Sequence, residues 1–258
     1  MTTNKTLSPL VAVAVVYSER YVLAPVYLYL AWVEFHALSS IIQRDWPYLQ
    51  IILREPLITR VTLLEEAARH FVSLLLNFST GAFLLLGRRA SSAPQNRRDV
   101  VVPLVTVLFV LVYNFIHYLP ASLQKSLFPA HWIAPFIAIG LMLGVIGPAF
   151  SIWSLLHLRR SFGIFVVVRN VVLAGPYRWV RHPMYLGYLF LLAGVVLING
   201  SIAYIVLVSV QVLLLLWRAR LEENLLSQCS PEYRDHCRLS GFIFPKFRLG
   251  ASLKNPTG

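Results

Sequence analysis

Apolar residues run along this chain in blocks of about twenty, separated by short arginine-rich breaks. That is the pattern of membrane-crossing helices, because about 20 apolar residues rising 1.5 Å each cover a hydrocarbon core of about 30 Å. Residues 100–119 (VVVPLVTVLFVLVYNFIHYL) form one such span. Residues 132–158 form another, longer than the hydrocarbon requires and so tilted or protruding. Residues 184–217 hold no charge over 34 positions but are interrupted by Asn199-Gly200-Ser201. The stretch is too long for one span and predicts two short ones joined by a tight turn, a helical hairpin. Upstream, 21–42 (Pro25 near its start) and 70–86 (begun by the amphipathic stretch 57–69) are further spans, whereas 7–17 is too short to cross. The apolar start resembles a signal-peptide core without a small-x-small cleavage site and is read as retained. The expected class is all-α: a polytopic transmembrane protein of five to seven membrane helices.

Arginine and lysine set the orientation. Alternating spans put 87–99, 159–183 and the tail from 218 on one side, with 16 Lys/Arg between them, against Lys125 alone in 120–131 and none at the hairpin tip. The positive-inside rule makes that side the cytoplasm. The segment 43–69 fits least well, since Arg44, Arg54, Arg60 and Arg69 would fall outside unless it lies along the interface.

Composition agrees. Of the 258 residues 57% are hydrophobic and 13% charged, whereas soluble domains carry about 25% charged residues. A net charge of +12 is read as cytoplasmic loops on anionic lipid. Nucleic acid is not expected as a partner, because no basic run alternates with aromatic stacking positions. Cys229 and Cys237 make no disulfide framework and no four-ligand metal site; no metal is expected.

Within the spans, Gly140, Gly144 and Gly147-Pro148 offer a small-residue face for close helix approach. Asn114, His117 and Tyr118 suit an interfacial anchor, and Glu34 and His36 suit either pairing with another span or a functional role. The chemistry concentrates in two cytoplasmic segments. In SFGIFVVVRNVVLAGPYRWVRHPMYLG (161–187), Gly175-Pro176 forces a turn and Pro183 starts a helix directly after His182. Free N–H groups at that helix start suit an anion, although a basic, lipid-facing loop reads the same way. In WRARLEENLLSQCSPEYRDHC (217–237), Arg218–Glu222 is an i,i+4 pair, and the adjacent carboxylates Glu222 and Glu223 suit something cationic, or else form an ordinary solvated helix end.

GPYRWVRHPMYLG followed by a two-helix hairpin and then by EENLL resembles the integral membrane methyltransferases related to isoprenylcysteine carboxyl methyltransferase and bacterial phospholipid N-methyltransferases. The resemblance covers about 135–247, and RRSFGIF looks like the bacterial branch, which implies a bacterial inner membrane. It divides the chain into 1–134, N-terminal helices of unassigned role, and 135–258, the catalytic region with its tail. It implies S-adenosylmethionine as methyl donor and a lipophilic acceptor entering sideways from the bilayer. By the same resemblance Gly175, Pro176, Tyr177, Arg181, His182, Pro183 and Tyr185 shape the nucleotide pocket, while Glu222 and Glu223 contact the ribose hydroxyls or the donor's ammonium group. A carboxylate acceptor needs no base; an amine or thiol must lose a proton, and His182 or Glu223 is the candidate to take it. Two positions depart from the family pattern: Tyr233 is followed by His236 rather than a second tyrosine, and Phe242 stands where an arginine precedes the proline, here Pro245. The missing arginine and the long N-terminal extension weigh against a prenylcysteine acceptor. The rival readings are a sterol-reductase-like enzyme using NADPH and a non-enzymatic transporter or scaffold. Against the latter, the chain shows no internal repeat and its C-terminal spans carry no charge.

Overall fold

The computed structural model describes residues 8–48, 57–87 and 94–246. Among these the chain is helical, without a β-strand. Helix α1 (Pro9–Ser18) runs through a π-helical turn, Glu19–Leu23, into α2 (Ala24–Asp45). The stretch expected to be too short to cross is therefore the first part of one 39-residue helix, Leu10–Tyr48. Helix α3 (Leu57–Leu86) joins the amphipathic stretch and the apolar span without a break. The span expected at 100–119 is α-helical only in its first half, α4 (Arg98–Leu108), and continues as a 3-10 helix, Phe109–Tyr118. Helix α5 is Ala130–Leu158.

The hairpin forms as expected. Helix α6 (Pro183–Asn199) ends at Gly200, whose φ of 61° is open to glycine without a Cβ clash, and Ser201 then accepts from the Tyr204 N–H to cap α7 (Ile202–Cys229). α7 runs on beyond the apolar stretch, so Glu222 and Glu223 stand on the same helix as the span. A short helix, α8 (Pro231–Leu239), follows, capped by Ser230.

Three of these helices are long and apolar enough to cross a membrane, Leu10–Tyr48, Ala130–Ser161 and Ile202–Cys229; Ser73–Leu86 and Pro183–Asn199 are shorter apolar helices. Large apolar side chains such as Trp32, Val145, Leu213 and Trp217 lie exposed on the outside. Charged groups such as Glu19 and Arg218 are buried. This is the arrangement lipid favours, since hydrocarbon outside replaces the water that would otherwise solvate the ions.

The tightest packing is α5 on α6. A Cβ at Gly140 would meet Ile198 at 2.7 Å and the Gly194 carbonyl at 2.9 Å, and one at Gly147 would strike the Gly187 carbonyl and Leu191. Glycines facing glycines bring the two backbones together, as small-residue faces do in membranes. Gly144, expected on the same face, has nothing within 4 Å of the position its Cβ would take. Of the other polar groups in the spans, Glu34 pairs with His70 on α3 at 2.6 Å, and His36 packs on Trp32. Tyr118 is exposed, and the side chains of Asn114 and His117 lie outside what is described.

The arginine-rich breaks meet at one end of the bundle. The Val166 N–H donates to the Asp99 carbonyl (3.1 Å), Arg20 donates to the Leu85 carbonyl (2.7 Å), and His236 donates to the Tyr177 carbonyl (2.8 Å). At the other end the Leu127 N–H reaches the Gly200 carbonyl at the hairpin tip (2.9 Å). Arg88 and Arg89, the segment 49–56 and the residues beyond 246 lie outside the described residues.

Candidate functional site

At the arginine-rich end, residues 162–182 fold back over the ends of α5 and α7. The apolar run Phe162 to Val167 is out of place in a basic loop. It is buried because Phe162 and Ile164 join Ala24, Leu84 and Leu155 in one core cluster. The turn at Gly175 has φ 61°, and its missing Cβ leaves room for the His157 ring. Pro176 is fully buried and starts the short 3-10 turn that sets down Tyr177. The chain then runs beside 241–242: the Arg181 N–H donates to the Gly241 carbonyl (2.9 Å) and the His182 N–H to the Phe242 carbonyl (3.1 Å). Pro183 opens α6 with His182 as the preceding cap residue.

These segments line a half-open cavity of about 140 Å³. Its walls are Phe162, Phe165 and Val166 from the fold-back, Tyr177, His182 and Tyr185 around the start of α6, and Arg218, Glu222 and Leu225 from α7. Three arginines line it, and each is matched to a carboxylate: Arg169 to Glu19, Arg181 to Glu223, and Arg218 to Glu222. The pairing follows from burial. A charge withdrawn from water costs several kcal/mol unless it meets its opposite with hydrogen bonds.

The pair on α7 faces two ways. Glu222 Oε1 accepts from Tyr185 Oη (2.6 Å) and from Arg218 Nε (3.1 Å). Its Oε2 lies 3.8 Å from His182 Nδ1, beyond hydrogen-bond length, and no described residue donates to it. Glu223 is not among the cavity residues. It binds Arg181, whose Nη1 also donates to the carbonyls of Cys237 (3.0 Å) and Ser240 (2.8 Å) at the end of α8.

His182 is buried, 6% exposed. It stacks parallel on Tyr185 with ring centres 5.3 Å apart, and Phe242 meets it edge-on at 5.1 Å. Its Nε2 lies 3.7 Å from Glu223 and makes no hydrogen bond. Thus Phe242 packs against the site's histidine, and His236 ties α8 to the Tyr177 turn. Burial, with Glu222 nearby, pushes the Tyr177 hydroxyl well above the usual tyrosine range. Burial likewise raises Tyr233, which has the carboxylate of Glu223 beside it. Both stay neutral at any physiological pH.

Of the residues singled out from sequence, Tyr177, Arg181, His182, Tyr185 and Glu222 line the cavity, while Gly175, Pro176, Pro183 and Glu223 stand behind it. Sequence reasoning did not single out Arg169 or Glu19, and it gave Arg218 only as half of a surface-type pair although its side chain is 7% exposed. A signal for Glu19 existed: it is the first acid in the chain, set in an apolar run, and an ionisable residue in a span calls for a partner.

Compared with known proteins, no curated sequence matches this chain. Residues 135–230 match the family model of phospholipid methyltransferases. That stretch, less than half of the chain, takes in most of α5, the fold-back, the hairpin and both α7 carboxylates.

Proposed function

We propose that the chain is an S-adenosylmethionine-dependent methyltransferase of the cytoplasmic membrane. In this reading the donor sits in the cavity beneath the fold-back, and a lipophilic acceptor reaches it from the bilayer. The observation that carries the reading is Glu222: a carboxylate in the cavity wall, within the stretch that matches the methyltransferase family, with one oxygen held by Tyr185 and Arg218 and the other without a donor.

The residues present fit such a donor. An ammonium or ribose hydroxyl suits the open oxygen of Glu222. A planar adenine suits the apolar and aromatic walls of Phe162, Phe165, Tyr177 and Leu225. A carboxylate suits Arg169, whose Nε is buried without an acceptor. When bound, the donor supplies an activated methyl group on a sulfonium. The protein's share is alignment and the exclusion of water, which the buried, paired lining is built to give. His182, unprotonated, offers a nitrogen for a proton from an amine or thiol, and its stacking on Tyr185 fixes where that nitrogen stands. Arg181 and Glu223, bound to each other and to α8, brace that wall.

Titration calorimetry of the detergent-purified protein with S-adenosylmethionine, its demethylated product and NADPH tests the reading. Micromolar binding of the two adenosyl compounds, about −8 kcal/mol, is expected. NADPH binding with no response to either adenosyl compound overturns it in favour of a reductase, and silence to all three from folded protein overturns it in favour of a transporter or scaffold.

A further inference from the structure

Glu19 belongs to the N-terminal helices, far in sequence from the matched stretch, yet the residue is 5% exposed and the described hydrogen bonds of its carboxylate lie in the fold-back. Oε1 accepts the N–H of Ile164 (2.8 Å) and of Phe165 (2.6 Å), and Oε2 binds Arg169. Both amides belong to the apolar stretch that walls the cavity, and Arg169 lines the cavity itself. Among the described residues no other acceptor bonds these two amides, since 162–174 is neither helix nor strand. The carboxylate sits in the π-helical turn Glu19–Leu23, where one residue more per turn changes the direction in which side chains leave the helix. Arg169 Nε remains without an acceptor beside the cavity.

We propose that Glu19 is a positioning residue for the methyl-donor site. It fixes the 164–165 backbone as a wall of the cavity and holds the Arg169 guanidinium where its free Nε–H can meet an anionic oxygen of the ligand. The inference rests on the donor-site reading given above. It also gives the N-terminal helices a part in the site: they supply, from outside the matched stretch, the acceptor that a strandless fold-back lacks.

The physical basis is cost asymmetry. Two buried amides and a buried guanidinium share one carboxylate, and removing it leaves all three unpaired in an apolar setting. The fold-back must then shift to find partners, and the cavity wall shifts with it.

The test compares full-length wild type with Glu19→Ala, Glu19→Gln and a control, Gln211→Met. Gln211 is buried and donates to the Thr106 carbonyl (3.1 Å), joining α7 to α4 away from the fold-back. Two readouts are taken on detergent-purified protein: calorimetric affinity for S-adenosylmethionine, and amide hydrogen exchange of 162–169 without ligand. Glu19→Ala is expected to weaken binding by about tenfold or more and to speed exchange at 164 and 165. Glu19→Gln keeps one acceptor but loses the ion pair, and is expected to fall between. Gln211→Met is expected to lower the melting temperature yet bind with wild-type affinity, which separates positioning from general loss of stability. If Glu19→Ala does not fold, Glu19→Gln carries both readouts. Wild-type affinity in the Glu19 variants, or unchanged exchange at 164 and 165, overturns the positioning role. An equal loss of affinity in Gln211→Met overturns it too. Failure of the wild type itself to bind overturns the donor reading beneath it, and the exchange arm then still shows whether Glu19 holds the fold-back.

Discussion

At the scale of single residues, the two neighbouring glutamates of α7 do different work although the sequence presents them as a pair. Residues i and i+1 on a helix point about 100° apart, so only Glu222 lines the cavity, and Glu223 meets Arg181 behind it. Glu222→Ala is therefore expected to weaken S-adenosylmethionine binding at least about tenfold, measured by calorimetry. Glu223→Ala leaves the Arg181 guanidinium, 11% exposed, only the Cys237 and Ser240 carbonyls, and is expected to cost up to about 3 kcal/mol of stability, read as a drop in the thermal midpoint, with a smaller loss of affinity. Glu222→Ala also strands the more deeply buried Arg218, so stability falls in both variants, and a greater loss of affinity in Glu223→Ala than in Glu222→Ala would show the assignment of front and back to be wrong. Buried tyrosines give a pH prediction. Tyr177 and Tyr233 have pKa values raised in the folded state, chiefly by burial, so the unfolded chain gives up protons first as pH climbs. The stability they contribute is complete below about pH 10, the ordinary tyrosine value, and is lost as pH rises beyond it. Thermal midpoints taken from pH 8 to pH 11 should fall at the alkaline end; a flat profile would contradict it.

At the scale of elements, the α5–α6 contact depends on which glycines face the neighbour. Gly147→Ala places a methyl on the Gly187 carbonyl and Leu191, and overpacking of this kind costs about 1–3 kcal/mol. Gly144→Ala enters open space and exchanges a helix-weakening residue for the best helix former, worth up to about 1 kcal/mol in its favour. Denaturation midpoints in detergent should drop for the first and hold or rise for the second. A glycine stripe in the sequence shows a close approach but not its rotation, since that is set by the partner helix. The same limit explains α1. Its ten mostly apolar residues are too few to cross alone, and the π-turn that carries them into α2 exists where Glu19 turns toward the fold-back.

At the scale of the whole molecule, two ends with opposite character follow from the arginine distribution and from the contacts that join the breaks. Exposed Cys229 lies just beyond the α7 carboxylates, at the end that gathers Asp99, Val166 and Tyr177, whereas Lys125 lies with the hairpin tip. A membrane-impermeant maleimide applied to sealed vesicles of either orientation should label Cys229 from one side. In a Cys229→Ser/Cys237→Ser background it should label Lys125→Cys from the other. Labelling of both from one side would sink the arrangement. The N-terminal helices also pack into the same unit: α2 and α3 share a core cluster with α5 and the fold-back, and α4 is bonded to α7 through Gln211.

Sequence alone determined what depends on composition and local order. Apolar blocks of span length with a charge-free hairpin dictate a helical membrane protein, because no other open structure satisfies its backbone in lipid. Gly200 and Ser201 mark the hairpin turn by their own chemistry. GPYRWVRHPMYLG and the α7 carboxylates mark the region of the site. Tertiary structure alone decided which of those groups face the cavity, that Phe242 packs on His182, and that Glu19 reaches residues 164–169 across nearly 150 positions. The reason is physical: a buried charge is satisfied by whichever partner packing brings to it, and packing, unlike periodicity, leaves no mark at a fixed spacing in the chain.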